Sequence, residues 1–298
     1  MNICAGIVLY NPDIEQLARN VNSIQNYVDW LFFVDNASMN IDEVQGVLSN
    51  EHFIWIRNEI NTGVAYALNQ LMNLAVEKGY DWILTLDQDS VCGEGIVQKL
   101  LKAFRHYDNI AMISPKIIDQ DIAKTDDESF PDVEEISMCI TSGCLTNVRA
   151  VLEAGGFDER LFIDQVDHDM CLRLRQRGYY LVRINSAELL QKFGEKSVTR
   201  KFLCKEIKYH HYVHSRIFYQ TRNTIYMVKK YGTEFTPRPR YYYYHRIGTF
   251  CVELLYEPDR IRRLVAFIKG YIAGLVMKCE SRGHNDKVYK VPTKAYKP

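Results

Sequence analysis

The chain has 298 residues, 47% hydrophobic and 25% charged, the composition of a globular protein with one large domain or a core plus an appendage. Lys+Arg and Asp+Glu number 37 each, for a formal net charge of zero, which excludes a global basic field for nucleic acid. The 8 Cys form no C-x-x-C pair and no basic leader opens the chain, so the expectation is a cytoplasmic protein with reduced thiols and no secretory signal. Every apolar run is interrupted by charge before it reaches the length of a spanning helix.

Ile3–Leu9 is a continuous apolar run, the pattern of a strand buried on both faces. Asn11-Pro12 offers an N-cap and a first-turn proline for a helix carrying Ile14, Leu17, Val21 and Ile24. Leu31–Val34 predicts a second strand closing at Asp35-Asn36. A short helix over 41–48 and a third strand over 53–56 follow. Asn61-Thr62-Gly63 opens a helix with Val64, Leu68, Leu71 and Leu74 on one face. Trp82–Leu86 predicts the strand that delivers Asp87-Gln88-Asp89-Ser90. A helix over 96–104 and a strand over 110–114 complete an alternation that implies βαβ units and a parallel sheet. Ligands bind such sheets at the carboxyl ends of the strands, where Asp35, Asp87 and Asp89 would stand.

The acidic stretch 119–135 predicts a loop and 136–140 a strand. Residues 148–154 predict a short helix stopped by Gly155-Gly156. A helix over 166–177 and a strand over 180–184 come next. Beyond, 213–231 is a long helix, and 241–256 and 259–279 are amphipathic, with Arg/Lys on one side and aromatic or aliphatic residues on the other. The division expected is an α/β core over 1–208 and a helical C-terminal region over 209–298.

Four constellations carry chemistry. Asp87 and Asp89 cost stability if buried unpaired, but at the mouth of a sheet they can share a hard cation that holds phosphate. Asp35 can accept hydrogen bonds from a base or ribose, or cap its own turn. Asn61-Thr62-Gly63 sets a helix N-terminus toward an anion, or is an ordinary helix start. Asp164, Asp167 and Asp169 crowd the start of one helix; the helix dipole accounts for part of this, and a carboxylate there can serve as general base. On the long helix Tyr219, Arg222 and Asn223 share a face, and Arg suits bidentate pyrophosphate contact.

The order of these motifs resembles the family 2 (GT-A type) inverting glycosyltransferases, and within them the rhamnosyltransferase branch that builds bacterial surface polysaccharides. The resemblance rests on Val8-Leu9-Tyr10-Asn11-Pro12, Val34-Asp35-Asn36-Ala37-Ser38, Asn58-Glu59-Ile60-Asn61-Thr62-Gly63 and Leu86-Asp87-Gln88-Asp89-Ser90. It continues through Thr141-Ser142-Gly143, Gly155-Gly156-Phe157-Asp158-Glu159 and Phe162-Ile163-Asp164. It closes with Val166-Asp167-His168-Asp169-Met170-Cys171-Leu172-Arg173 and the helix of Arg216, Tyr219, Arg222 and Asn223.

The resemblance implies a GT-A nucleotide-diphospho-sugar transferase fold, an α/β domain around a mostly parallel Rossmann-like sheet. It implies donor contacts from Tyr10, Asn11, Asp35, Asn61, Gly63, Asp87 and Arg222. Asp89 with Asp87 would hold Mg²⁺ or Mn²⁺, and Asp167 would be the catalytic base. Thr141, Ser142, Gly143, Asp164 and Asp169 would stand on the acceptor side. The implied donor is dTDP-L-rhamnose, and the implied acceptor a cell-surface polysaccharide or lipid-linked glycan. By their amphipathic pattern the C-terminal helices would serve acceptor, membrane-surface or homo-oligomer contacts, with a peripheral location at the inner face of the cytoplasmic membrane, or would pack against the α/β core. One departure stands out: many relatives carry His in the segment matching 188–194, where this chain has Gln191. Two readings compete: a phosphatase using Asp87-Gln88-Asp89-Ser90-Val91, or a degenerate protein that binds sugar nucleotide or glycan without turnover.

Overall fold

A computed structural model describes residues 2–119, 131–192, 197–202, 205–210, 212–234, 247–248, 250–251 and 253–279. Contacts divide the chain into two compact units. The first contains residues 1–160 and 167–191, the second residues 161–166 and 192–283. Residue 208, the expected boundary, falls inside a strand of the second unit.

The first unit begins with strictly alternating elements: β1 (Ile3–Leu9), α1 (Ile14–Ile24), β2 (Leu31–Asp35), α2 (Ile41–Val47), β3 (Phe53–Arg57), α3 (Val64–Glu77) and β4 (Trp82–Asp87). β1 pairs in parallel with both β2 and β4, and β2 with β3. β1, β2 and most of β4 are buried, which is why they read as unbroken apolar runs. Ile7, Leu9, Phe33 and Leu84 are fully buried in the main core. Burial of side chains of this size stabilises by roughly 1.5–3 kcal/mol each.

Beyond β4 the elements are β5 (Val91–Cys92), α4 (Ile96–Leu100), β6 (Ile110–Asp119), β7 (Val133–Glu135), β8 (Cys144–Asn147), α5 (Val148–Glu153), α6 (Val166–Gln176) and β9 (Tyr180–Gln191). Here the pattern changes. β8 runs antiparallel between β4 and β6, β6 and β9 are parallel, and β5 and β7 both pair antiparallel with β9. The nine-stranded sheet therefore orders as β3-β2-β1-β4-β8-β6-β9-β5, with β7 alongside β9. The expected mostly parallel sheet holds for β3 to β4, and the rest is mixed.

Three local expectations are corrected. The helix cap is Asp13, whose side chain accepts the Gln16 N–H at 2.9 Å; Asn11 instead adopts a left-handed φ of 47°. Residues 136–140 form no strand; the strand lies at Val133–Glu135, inside the segment predicted as loop. Of that segment, residues 120–130 lie outside the described residues. Cys144–Asn147 forms a strand that no alternation announces.

The second unit contains a two-stranded antiparallel sheet of β10 (Ser197–Phe202) and β11 (Lys205–His210), then α7 (His214–Tyr231) and α8 (Arg260–Val276). Of the helix expected at 241–256, residues 241–246, 249 and 252 are outside the described set and the others are helical. α8 lies very close to α7. A Cβ on Gly270 would come within 2.5 Å of the Phe218 carbonyl oxygen, and one on Gly274 within 2.8 Å of that of Arg222. Only glycine lets the two backbones meet there. Lys229 then donates to the carbonyls of Gly274, Leu275 and Met277 at 3.1, 2.5 and 2.9 Å, capping the end of α8 with a cation.

Candidate active site

The carboxyl edge of the parallel strands is built first by the register. β1 lies between its two neighbours so that Leu9 pairs with Asp35 and Val8 with Asp87. Strand order thus brings carboxylates 52 positions apart in sequence to flank the same strand end. Asp35 is 1% exposed, and its two oxygens accept the Ser38 N–H at 3.1 and 3.2 Å. Ser38 in turn accepts the Asn11 N–H at 2.8 Å, and the Asn11 side chain accepts the Met39 N–H at 2.8 Å. Tyr10 is tied in differently. Its N–H donates to Gln88 at 2.8 Å, and the Gln88 amide returns a bond to its carbonyl at 3.3 Å. Asn61 accepts the Gly63 N–H at 2.9 Å, and Asn36 donates to the Gly63 carbonyl at 3.3 Å. These bonds fasten the β1, β2 and β3 loops to one another.

The Asp87-Gln88-Asp89 turn is anchored from α1. The fully buried Asn20 donates to the Asp87 carbonyl at 2.7 Å, and Gln16 to that of Asp89 at 2.9 Å. From the other side, the Ser142 hydroxyl accepts the Asp87 N–H at 3.1 Å, Thr85 donates to the Thr141 carbonyl at 2.7 Å, and the Gly143 N–H donates to the Thr85 carbonyl at 2.8 Å. Gly143 has φ 75°, and a Cβ there would lie 2.8 Å from Leu189 and 2.9 Å from Pro115. The turn carrying Thr141 and Ser142 therefore needs glycine on both counts.

Gln191 closes this arrangement. It is 4% exposed at the end of β9. Its amide nitrogen lies 3.2 Å from Asp87 Oδ2 and 3.3 Å from Asp89 Oδ1. Its carbonyl accepts from the Ser90 hydroxyl and, at 3.1 Å, from that of Ser142. A carbonyl fed by hydroxyls leaves the NH₂ as the end facing the carboxylates. The two acids are thus gathered by one neutral donor.

This sets the fit for a divalent cation. The two carboxylates supply the hard oxygen ligands that Mg²⁺ or Mn²⁺ takes, and both lie against the Gln191 amide nitrogen. Among the described residues no group of three or more His, Cys, Asp or Glu could hold a metal. Asp87 and Asp89 are compatible with a cation whose other ligands come from phosphate and water, the arrangement Mg²⁺ commonly adopts.

Asp167 stands in the first turn of α6, and its Oδ1 accepts the Thr141 hydroxyl at 2.8 Å. Thr141 thus links Asp167 to the end of β4. Asp169 is fully buried and pairs with Arg173 at 2.7 Å, while Arg173 also donates to the carbonyls of Ala154 and Gly156 at 2.7 and 2.6 Å. That network fixes the start of α6 to the turn before it. Behind Asp167 lies a cluster of buried thiols: Cys139 is 3.8 Å from Cys171 and 3.6 Å from Cys144. The Cys139 thiol is pushed well up by its contact with Cys144, and by burial, and the Cys171 thiol by its contact with Cys139 and by burial. The Asp167 charge acts in the same direction on both. The Cys139 and Cys171 thiols stay neutral at physiological pH.

Asp164 and Arg222 belong to the second unit. Asp164 accepts from Arg216 at 3.1 and 3.3 Å. Phe162, Asp164 and Gln165 all have left-handed φ, between 62° and 67°, an uncommon strain for non-glycine residues. α7 maintains it. The Asn223 amide donates to the carbonyls of Leu161, Ile163 and Asp164 at 2.7, 2.7 and 2.9 Å, and Arg222 to that of Leu161 at 2.9 Å. Tyr219 stacks on Phe162 at 4.7 Å, with the Arg222 guanidinium 4.9 Å from the Tyr219 ring centre. Gln16, Asn20, Gln88, Ser90 and the α7 residue Asn223 are supports whose partners no spacing rule reveals.

Residues 4–147 match the family description "Glycosyl transferase family 2". The chain carries a glycosyltransferase family 2 region over residues 4–147. It is 29% identical over 246 residues to "dTDP-rhamnosyl transferase RfbF" of Shigella flexneri, covering 77% of this chain and 80% of that protein. Among solved structures, "Mannosyltransferase PcManGT from Pyrobaculum calidifontis in complex with GDP-Man and Mn2+" aligns with a TM-score of 0.56 at 10% identity, over 92% of this chain and 87% of the other. "GalNAc-T7 with UDP, GalNAc and Mn2+" aligns at 0.58 and 14%, over 92% of this chain but only 56% of its own length. These neighbours show the GT-A fold. That match sets the phosphatase reading aside, and Asp87 ends the fourth strand of the unit.

Proposed function

We propose that this glycosyltransferase transfers L-rhamnose from dTDP-L-rhamnose, with inversion, to a hydroxyl of a cell-surface or lipid-linked glycan. The observation that carries the proposal is the alignment of acids along one sheet edge: Asp35 ends β2, Asp87 ends β4 with Asp89 in the turn just beyond, and Asp167 is tied to β4 through Thr141. The similarity to a named dTDP-rhamnosyl transferase supports the donor.

In this proposal Asp35 accepts hydrogen bonds from the base or ribose, with Tyr10, Asn11 and the Asn61–Gly63 turn shaping that end. A bound Mg²⁺ or Mn²⁺ would neutralise the departing diphosphate, and Asp89 and Asp87 would hold it. Asp167 removes the proton from the acceptor hydroxyl. The acceptor oxygen bonds to the anomeric carbon from one face while the bond to the diphosphate oxygen breaks on the other, inverting the centre. The proton on Asp167 returns to solvent. Thr141 keeps the Asp167 oxygen oriented, and Asp169 with Arg173 keeps its helix in place. In this reading Ser142 and Gly143 line the acceptor side.

A thermal-shift screen of nucleotide sugars with Mn²⁺ tests the donor. The largest rise should come with dTDP-L-rhamnose. An equal or larger rise with UDP- or GDP-sugars would overturn the donor assignment.

A further inference from the structure

α8 has two faces of opposite character. Arg263, Ala266, Gly270 and Gly274 are buried, and the two glycines face α7. The other face carries Ile261, Val265, Ile268, Ile272 and Leu275, spaced four, three, four and three residues apart and between 44% and 80% exposed. Leu264 and Tyr271 widen the stripe and are exposed too. At 3.6 residues per turn, Arg260 falls along one border of the stripe and Arg262 and Lys269 along the other, all exposed. Lys278 follows the helix end. No Asp or Glu occurs anywhere in residues 260–279. A stripe of this extent on a soluble surface marks an interaction site.

The charge pattern selects the occupant. A second copy of this helix would set cations against cations along the seam, with no acid on the helix to answer them. An anionic lipid surface answers both features at once. Its acyl boundary takes the aliphatic stripe, and its headgroups take the bordering cations. The sequence beyond, 280–298, adds Arg282, Lys287, Lys290, Lys294 and Lys297 against Glu280 and Asp286, so the cationic character continues. No described helix is long and apolar enough to cross a membrane, which fits a helix lying in the interface.

We propose that the exposed face of α8 is a docking surface for an anionic membrane, with the stripe from Ile261 to Leu275 as its apolar contact and Arg260, Arg262 and Lys269 as its headgroup contacts. Vesicle flotation of the full chain tests this, using phosphatidylglycerol/phosphatidylethanolamine vesicles and phosphatidylcholine vesicles. The wild type should float with the anionic vesicles and at least about tenfold less with the neutral ones, the anionic binding weakening as salt rises. The double variant Ile268→Glu/Ile272→Glu, at two exposed positions, should lose flotation while keeping its circular dichroism melt. The triple variant Arg260→Gln/Arg262→Gln/Lys269→Gln should lose the preference for anionic lipid. Three results would overturn the proposal: no flotation of the wild type, flotation unchanged in the double variant, or a stable dimer by light scattering that the same double variant splits. Flotation that appears only after removal of residues 280–298 would show that the chain itself covers the stripe, and would also overturn it. None of these readouts uses sugar transfer, so they stand apart from the donor assignment.

Discussion

The two halves of the nine-stranded sheet divide the work. The parallel half, β3-β2-β1-β4, ends in the acids: Asp35 and Asp87 terminate strands on either side of β1, with Asp89 just beyond. The mixed half, β8-β6-β9-β5, contributes differently. Its members and their preceding turn supply Thr141 and Gln191, which hydrogen-bond carboxylates, and Ser142, which holds the Asp87 backbone N–H. A parallel sheet places chemistry through strand ends. The antiparallel strands bring in neutral donors that let like charges sit close together. The comparison predicts that changes in the parallel half abolish chemistry, whereas changes in the mixed half tune it.

The largest effect is expected at the acids themselves. Asp89→Ala should cut turnover by at least about a hundredfold, since metal-supplied charge stabilisation is worth several kcal/mol. Calorimetry should also show that Mn²⁺ no longer strengthens dTDP binding. Unchanged metal dependence would break the assignment of Asp89. Next, Asp169→Ala leaves the Arg173 guanidinium, only 14% exposed, without its carboxylate. Losing one partner of such a pair costs about 3 kcal/mol, to be read from urea denaturation. A loss under about 1 kcal/mol would show that the carbonyls of Ala154 and Gly156 suffice for Arg173.

Gln191 tests the mixed half more gently. Gln191→His replaces the amide between the two acids with an imidazole that can ligate a cation. Mn²⁺ affinity without nucleotide, followed by electron paramagnetic resonance, should rise by about tenfold. No rise would mean that the amide position is not shared with a cation. The smallest effect concerns β7 and β9. The Glu134 carboxyl is held below its ordinary value by the Asn185 hydrogen bond and by Arg183, and Asp132 by its Ser186 hydrogen bonds and by Lys102. Their contribution is complete above the ordinary carboxylate range and is lost as pH falls through the depressed values. Glu134→Gln should therefore narrow the stability gap between pH 6 and pH 3 by a small margin in thermal melts, and a wider gap would contradict the sign.

The same division explains what was legible in the sequence. β1, β2 and β4 are buried runs without interruption, and the acids at their ends stand out. β8 is only four residues long and runs directly into α5, so it offers neither length nor alternation. β9 continues past Asn185 and Ser186 to Gln191, and those polar residues end the run to the eye. Their side chains have polar partners: Asn185 donates to the Pro131 carbonyl and to Glu134, and the Ser186 hydroxyl accepts from Lys102. Residues 136–140 look like a strand because Cys139 must be buried with Cys144 and Cys171, a packing demand and not a ladder. Gln191 was visible as a departure from a familiar pattern. That its carbonyl is fed by Ser90 and Ser142, so that its NH₂ gathers both acids, depends on contacts 49 and 101 residues apart.

The base assignment carries the account, and Asp167→Asn tests it most directly. Asparagine preserves the size of the side chain and can still accept the Thr141 hydroxyl, but it cannot take a proton. With dTDP-L-rhamnose, Mn²⁺ and a glycan acceptor, turnover should fall by about 10²–10⁴-fold, while the dissociation constant for dTDP-L-rhamnose by calorimetry stays within about twofold of wild type. Near-wild-type turnover in that variant would contradict the account.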